Sequence, residues 1–435
     1  MSADRSAIER DQLAKLRALL KEIAGHNAFY TEKLRGLDID IPSLDWFRAN
    51  VPFTFKRELI DDEQAHPPFG SNLTYPIAHY TRFSQTNGTT GQPLRWLDTP
   101  ESWDWMCGNW MQVFRAGGVT ASDRIFFAFS FGPFLGFWVA FDAAARMGAL
   151  AIPGGGMRSA ARLRAMLDCE ATVLCCTPTY AIRLGETGAE EGIDMSASKI
   201  RRVVVAGEPG GSIRATAARI ESLWRGASVV DHHGMTEVGP VSYGCPKRER
   251  VLHVIESSYI AEVIDPVSGA AAVRGELVLT NLGRAGSPLI RYRTGDIVER
   301  SGQGSLEDQC ECGAFDLALE GGILARTDDM VVVRGVNLYP SAIEEILRGC
   351  EGIAEYRVEI RTDRALTELS VFVEPGGDIL NDGDEALVHP SLDDALAHRL
   401  ELALRNALGL RVPVVVVERG SLPRFEMKAQ RWVRV

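Results

Sequence analysis

Between Ser6 and about Leu34, the apolar residues Leu13, Leu16, Leu19, Leu20 and Ile23 recur at helical spacing among charged ones. This predicts an amphipathic opening helix, with Ser6 and Glu9 spaced as a capping box at its start. From Tyr80 onward, short apolar runs alternate with helical patterns. Arg124 to Ser130, Ala171 to Cys176, Arg201 to Ala206 and Ala227 to Asp231 read as buried strands. Trp138 to Met147, Ala160 to Leu167 and Ser212 to Trp224 read as helices. Such alternation implies an α/β fold with a parallel sheet.

From Val251 to Val298 the pattern turns to strands with little helix between them (Tyr259 to Ile264, Gly275 to Thr280, Asp296 to Glu299), joined by Gly and Pro turns. This is a β-rich lobe. After Ala325 the order is a strand at Met330 to Arg334, a helix from Ser341 to Leu347, strands at 354–361 and 368–374, a helix from Leu392 to Leu408 and a strand at 413–418. A small α+β unit of roughly a hundred residues follows from that order. The division predicted is residues 1–325 and 326–435, with no internal repeat.

The 435 residues suit about three compact units, and 46% hydrophobic with 24% charged residues is ordinary globular usage. The net charge of −11 opposes non-specific binding to nucleic acid or an anionic membrane, so any phosphate-bearing ligand must be held locally. The longest apolar stretch, Ile125 to Phe141, is short of a span and interrupted by Gly132, Pro133 and Gly136. Asp4, Arg5, Glu9 and Arg10 near the start leave no room for a secretory h-region, and a cytoplasmic location is the expectation. In a reducing compartment the eight cysteines are packing residues or metal ligands rather than a disulfide framework.

Three groups carry candidate chemistry. Thr86, Asn87, Gly88, Thr89, Thr90 and Gly91, followed by Gln92 and Pro93, combine tight-turn glycines with hydroxyls able to donate to phosphate oxygens. It is not a Walker loop, and taken alone a surface turn would have the same composition. Cys310 and Cys312 in a Gly-flanked loop, with Cys245 and His253 in the preceding β-rich segment, have the ligand chemistry of a tetrahedral Cys₃His zinc site. Six aromatics in thirteen residues (Phe126, Phe129, Phe131, Phe134, Phe137, Trp138) form either core or the wall of an apolar pocket.

Several stretches occur together in one order: the Thr/Gly loop at 86–93, Ala206-Gly207-Glu208-Pro209, Asp231-His232-His233-Gly234-Met235-Thr236-Glu237, Leu289 through Asp296, and Arg326-Thr327-Asp328-Asp329 followed by Arg334 through Pro340. In this order and spacing, from Val51 to Lys428, the chain resembles the adenylate-forming ligases that activate a carboxylic acid with ATP and pass the acyl group to coenzyme A. Within them it is similar to the phenylacetate-CoA ligase branch and the related aryl-CoA ligases acting on benzoate-type acids such as anthranilate.

The resemblance implies a large ATP- and acyl-binding N-terminal domain and a small mobile C-terminal domain carrying a catalytic lysine, Lys428. It implies that Gly207, Glu208 and Pro209 face adenine at the carboxyl end of a parallel sheet. Thr236 would donate to the α-phosphate, Glu237 would hold Mg²⁺, and Asp296 would accept from the ribose hydroxyls. Arg326 would reach ribose or phosphate, and His232, His233, Gly234 and Met235 would border nucleotide or acid. Asp328 corresponds to a hinge and Gly335 to a glycine that clears the pantetheine arm. Phe131 and Phe134 become candidates to touch the substrate ring. Members of the branch carry a structural zinc site, which strengthens the Cys245, His253, Cys310, Cys312 set. An acyl carrier protein and a homodimeric partner are both compatible with it.

Three positions depart from the family pattern: Gln92 stands where a lysine is usual, His233 where a tyrosine would stack on adenine, and Ala325 where a glycine precedes Arg326. The activity expected is formation of an acyl-AMP and its thioesterification by CoA, releasing AMP and pyrophosphate. The alternatives are a stand-alone adenylation enzyme that loads a carrier-protein phosphopantetheine, and a zinc-stabilised nucleotide-binding protein without catalysis.

Overall fold

A computed structural model describes residues 4–86, 93–301, 309–327, 331–333, 336–363, 366–376, 390–425 and 429–435. Its centre is a five-stranded parallel sheet in the order Leu150–Pro153, Arg124–Phe127, Val173–Cys176, Arg202–Val205, Ser228–Asp231. All four residues of Val173–Cys176 are buried, as a strand covered on both faces requires. Ile125 and Phe127 face one core, shared with the helices Pro100–Ala116 and Leu135–Arg146. Phe126 and Leu174 face the other, beneath Ser159–Asp168, Pro178–Glu190 and Arg214–Leu223.

The β-rich lobe consists of an antiparallel sheet of Tyr259–Ile264, Arg274–Asn281, Tyr292–Glu299 and Ala325–Arg326, and a three-stranded sheet of Ser242–Gly244, Val251–Val254 and Ala318–Glu320. The C-terminal unit has its own core. Ile343 and Leu347 of the helix Pro340–Arg348 and Leu400 and Leu404 of Pro390–Leu408 pack on Val358, Val371 and Val373 of the strands Ile353–Asp363 and Leu366–Pro375. These two antiparallel strands are flanked in parallel by Val414–Val416 and Trp432–Arg434.

Several elements differ from the sequence-based expectation. The first helix begins at Arg5, and its cap is Asp4, whose carboxylate accepts from the Ala7 amide at 2.7 Å. Asp competes well for that position, and Ser6 lies already inside the helix, so the Ser6/Glu9 capping box does not form. The strand expected over 124–130 stops at Phe127, and Phe131, in the left-handed conformation (φ 53°), lies in the turn that leads to the next helix. That helix starts at Leu135 rather than Trp138, and the one expected from Ser212 starts at Arg214. The helices Pro100–Ala116 and Pro178–Glu190 were not among the expected elements, although each has a Thr cap followed by Pro at its first position. Among the described residues no helix is long and apolar enough to cross a membrane.

Candidate active site

The carboxyl ends of Arg202–Val205 and Ser228–Asp231 deliver the two motifs that follow them. After Val205 the chain turns through Gly207 (φ 94°), and the Glu208 side chain reaches back to the N-terminus of the helix Pro178–Glu190. There its Oε1 accepts from the Thr179 amide at 2.8 Å, where the helix dipole favours a negative charge. The other oxygen, Oε2, accepts from the Ala429 amide at 3.0 Å. The carboxylate is thus engaged at both oxygens. What 207–209 leave open is the exposed backbone and surface of Gly207 and Pro209.

Asp231 ends its strand half-buried, its carboxylate accepting from the Ser212 hydroxyl and the His232 amide. Burial raises its carboxyl above the ordinary range, against the lowering effect of these donors. Only glycine fits at 211, since a Cβ there would sit 2.3 Å from Asp231 Oδ1. His232 is buried, its ring centroid 4.2 Å from that of Trp110 in a tilted pair, and it shares a 2.6 Å hydrogen bond between Nδ1 and the Ser242 carbonyl. Burial pushes its imidazole down to about 3, so the ring is neutral and its Nδ1–H donates.

His233 turns the opposite way. Its Nε2 lies 2.9 Å from Asp296 Oδ2, while Arg326 Nη1 donates to Asp296 Oδ1 at 2.8 Å. Asp296 and Arg326 face each other across adjacent antiparallel strands, which fixes this pairing. Burial pushes the Asp296 carboxyl up, but the hydrogen bond and charge of His233 and Arg326 outweigh it and hold it below its usual value. His233 Nδ1 is buried without a hydrogen-bond partner. The ring that the family pattern would use for stacking is here an edge-on partner of the carboxylate.

The next turn, Gly234–Met235 against Gly239–Pro240, brings Thr236 and Glu237 together. Sequence reasoning missed the two cations that hold it. Arg284, fully buried, forks onto Asp98 at 2.6 and 2.7 Å and donates to the carbonyls of Thr236 and Glu237 at 2.7 and 2.9 Å. Lys56 Nζ lies 3.2 Å from Glu237 Oε1. Neither pairing has a local sequence signal, because the partners come from distant segments; the Lys in Val51 to Lys56 is visible only as part of a motif. The Glu237 carboxylate is a hard oxygen donor of the kind that fits a magnesium ion keeping few protein ligands beside substrate phosphates. At the Thr/Gly loop, Thr86 pairs with Leu94 through its backbone amide (2.9 Å) and its hydroxyl (3.0 Å), closing the loop's base. Asn87, Gly88, Thr89, Thr90, Gly91, Gln92, Asp328, Gly335 and Lys428 lie outside the described residues.

The aromatic run divides. Phe126 is core on the far face of the sheet. Phe131 sits centrally on the near side, its ring 4.4 Å from Phe129, 4.7 Å from Trp138 and 5.4 Å from Phe141. Phe134 lies over Gly132, where a Cβ would be 3.0 Å from its ring.

The four metal-ligand candidates also converge. One ligand atom from each of Cys245, His253, Cys310 and Cys312 lies within 4.8 Å of every other. Cys245 Sγ and Cys310 Sγ are 3.7 Å apart, and Cys312 Sγ is 3.4 Å from His253 Nε2. A tetrahedron with Zn–S bonds of about 2.3 Å has edges of roughly 3.7 Å, so the donor set fits zinc. His253 Nδ1 meets the Asp316 carbonyl at 3.1 Å, which leaves Nε2 free to ligate.

The chain's segment 335–434 matches the AMP-binding enzyme C-terminal domain. It is 30% identical over 393 residues to the phenylacetate-coenzyme A ligase of Escherichia coli (strain K12), covering 87% of this chain and 83% of that protein. The chain belongs to the phenylacetate-CoA ligase family. The family's adenylate-forming architecture is seen in 2-hydroxyisobutyryl-CoA ligase, 26% identical, in its postadenylation state. The TM-score is 0.92, over 100% of this chain and 91% of that one. Against the thioesterification state of the same ligase, at 27% identity and with the same coverage, it is 0.72. This phenylacetate-CoA ligase family member therefore superposes better on the postadenylation state of that ligase than on its thioesterification state.

Proposed function

We propose that this protein activates an aromatic carboxylic acid with ATP to an acyl-AMP and transfers the acyl group to coenzyme A, releasing AMP and pyrophosphate. The observation supporting it is the buried Asp296 carboxylate, held charged by His233 and Arg326 beside the sheet's carboxyl edge, where an open α/β fold receives a nucleotide. Carboxylate oxygens accept more than one hydrogen bond each, so Asp296 can take ribose hydroxyls without releasing either partner.

The roles of the individual residues rest on this geometry together with the motifs they belong to. Phe131 and Phe134, with Phe129 and Trp138 packed around Phe131, bind the acid's ring. Glu237, its backbone fixed by Arg284, holds Mg²⁺, which when bound offsets charge between the phosphates. Lys56 keeps that carboxylate in place until then. Lys428 brings a cation to the substrate carboxylate and α-phosphate, from a C-terminal domain (residues 326–435) that moves between the two half-reactions about Asp328. Gly335 clears the way for pantetheine. Cys245, His253, Cys310 and Cys312 hold a structural zinc that ties the β-rich lobe together; four protein ligands leave no position for catalysis.

The relatives' names favour phenylacetate, and a benzoate-type acid such as anthranilate fits the same aromatic wall. An acid panel scored by AMP release, with and without CoA, tests the reading. Acid-dependent release that requires CoA for turnover supports it. Release that responds to a carrier protein and not to CoA would assign the carrier-loading alternative, and none with any acid would remove catalysis.

A further inference from the structure

Within the Ala206–Pro209 motif, the Glu208 side chain touches both parts of the chain. Its Oε1 stays within the large domain, capping the 13-residue helix Pro178–Glu190 at Thr179. Its Oε2 takes the amide of Ala429, the residue that follows Lys428 in sequence. A second tie lies alongside: Arg431, buried and forked onto Glu355 of its own unit, also donates to Thr179 Oγ1 at 3.3 Å. Both contacts belong to the arrangement that matches a postadenylation state far better than a thioesterification state.

We infer that Glu208 is a positioning residue for adenylation: a preset latch that holds the Ala429 amide, one residue after Lys428 in sequence, in the first half-reaction only. This rests on the two-step activity proposed above. The division of labour between the two oxygens is the physical basis. The helix cap fixes the carboxylate's orientation, so the second oxygen is already aimed at the incoming amide and needs no reorganisation when the domain arrives. When the domain leaves, Oε1 keeps its bond, and the large domain loses nothing of its own fold. Arg431 and Thr179 guide the same docking from the other side of the helix N-terminus.

Glu208→Gln separates the two functions, because an amide has one acceptor oxygen and cannot serve both Thr179 and Ala429. Acid-dependent pyrophosphate exchange, measured with the acid that ranks first in the panel, reports the first half-reaction. Thioester formation from preformed acyl-adenylate and CoA reports the second. The expectation is a fall in the exchange rate at saturating ATP of about 10- to 100-fold, the range of a lost charge-assisted hydrogen bond, with thioesterification within twofold of wild type or faster. Thr179→Val, which removes only the hydroxyl that meets Arg431, should lower exchange several-fold in the same one-sided way, and it serves should Glu208→Gln fold poorly. Equal loss in both half-reactions with a lowered Tm would assign a purely structural role and overturn the latch. A raised KM for ATP with unchanged kcat would assign an adenine contact and overturn it too, as would wild-type behaviour in both assays. Absence of exchange and of CoA thioester in the wild-type protein would instead refute the proposed function, and the latch would fall with it.

Discussion

His233 Nε2 lies 2.9 Å from Asp296 Oδ2, so the histidine that replaces the expected tyrosine is bonded to the carboxylate proposed to meet the ribose. Asp296→Asn removes the charge that Arg326 and His233 hold in place. It should raise KM for ATP by about 10- to 100-fold, as for a charge-assisted contact, with little change in KM for the acid. His233→Phe should have a smaller effect in the same direction, since Arg326 still orients the carboxylate. Initial rates over an ATP series at fixed acid measure both.

His232 contributes a pH dependence of stability with a definite sign. Burial pushes the folded imidazole down to about 3, whereas the unfolded one titrates near ~6.5. Between these values the unfolded chain takes up a proton that the native state refuses. Stability is therefore intact above about pH 6.5 and falls as pH drops towards 3, by at most ~1.4 kcal/mol per pH unit from this group. His232→Asn should flatten the loss; urea unfolding at pH 7, 6 and 5 on both proteins checks it.

The Arg284 and Asp98 side chains are fully buried, and Arg284 also holds the carbonyls of Thr236 and Glu237. Asp98→Ala leaves an unpaired guanidinium inside the protein and should cost about 3–5 kcal/mol. Pyrophosphate exchange should fall as well, because the turn presenting Glu237 loses its anchor. Denaturant melts alongside the exchange assay separate the two losses.

Lys56 and a magnesium ion compete for Glu237 if the proposed role holds. Lys56→Met should then lower the Mg²⁺ concentration for half-maximal adenylation by about 1.5- to 5-fold, equivalent to the ~0.2–1 kcal/mol of a partly exposed pair. A rise in the Mg²⁺ requirement would count against the exchange.

The Cys245, His253, Cys310, Cys312 quartet should carry one zinc per chain by elemental analysis of purified protein. Cys310→Ser should reduce the metal content, and removal by a strong chelator should lower Tm, at about 2–4 °C per kcal/mol if the effect scales as in a mid-sized domain. Unchanged Tm after verified metal loss would refute a structural role.

The elements that were legible in the chain share a physical cause. Val173–Cys176 and Arg202–Val205 read as strands because burial on both faces writes an unbroken apolar run. Tyr259–Ile264 has the bounds expected of it, for its ends coincide with changes of composition. Asp296, His233 and Arg326 were visible as motif residues, yet their mutual bonding was not, since it depends on how the strand Tyr292–Glu299 registers against Ala325–Arg326. Glu208 was legible as part of a nucleotide motif, but its task depends on Ala429, 221 residues away. The turn at Phe131 was hidden for another reason: a left-handed Phe has no compositional signature, unlike the glycines that usually occupy that conformation.

The first helix has a bearing on how the chain is made. Its Arg5 is ion-paired with Glu256, Gln12 donates to the Tyr259 carbonyl, and its apolar face shares a core with Ile260, Leu282 and Ile290. None of these partners exists until the ribosome has added over two hundred more residues, a delay of roughly 10–50 s at common synthesis rates. Through that interval the helical stripe has only near neighbours such as Tyr30, Ile41, Leu44 and Phe47 to pack on, so the opening of this protein offers a chaperone an incompletely covered handle.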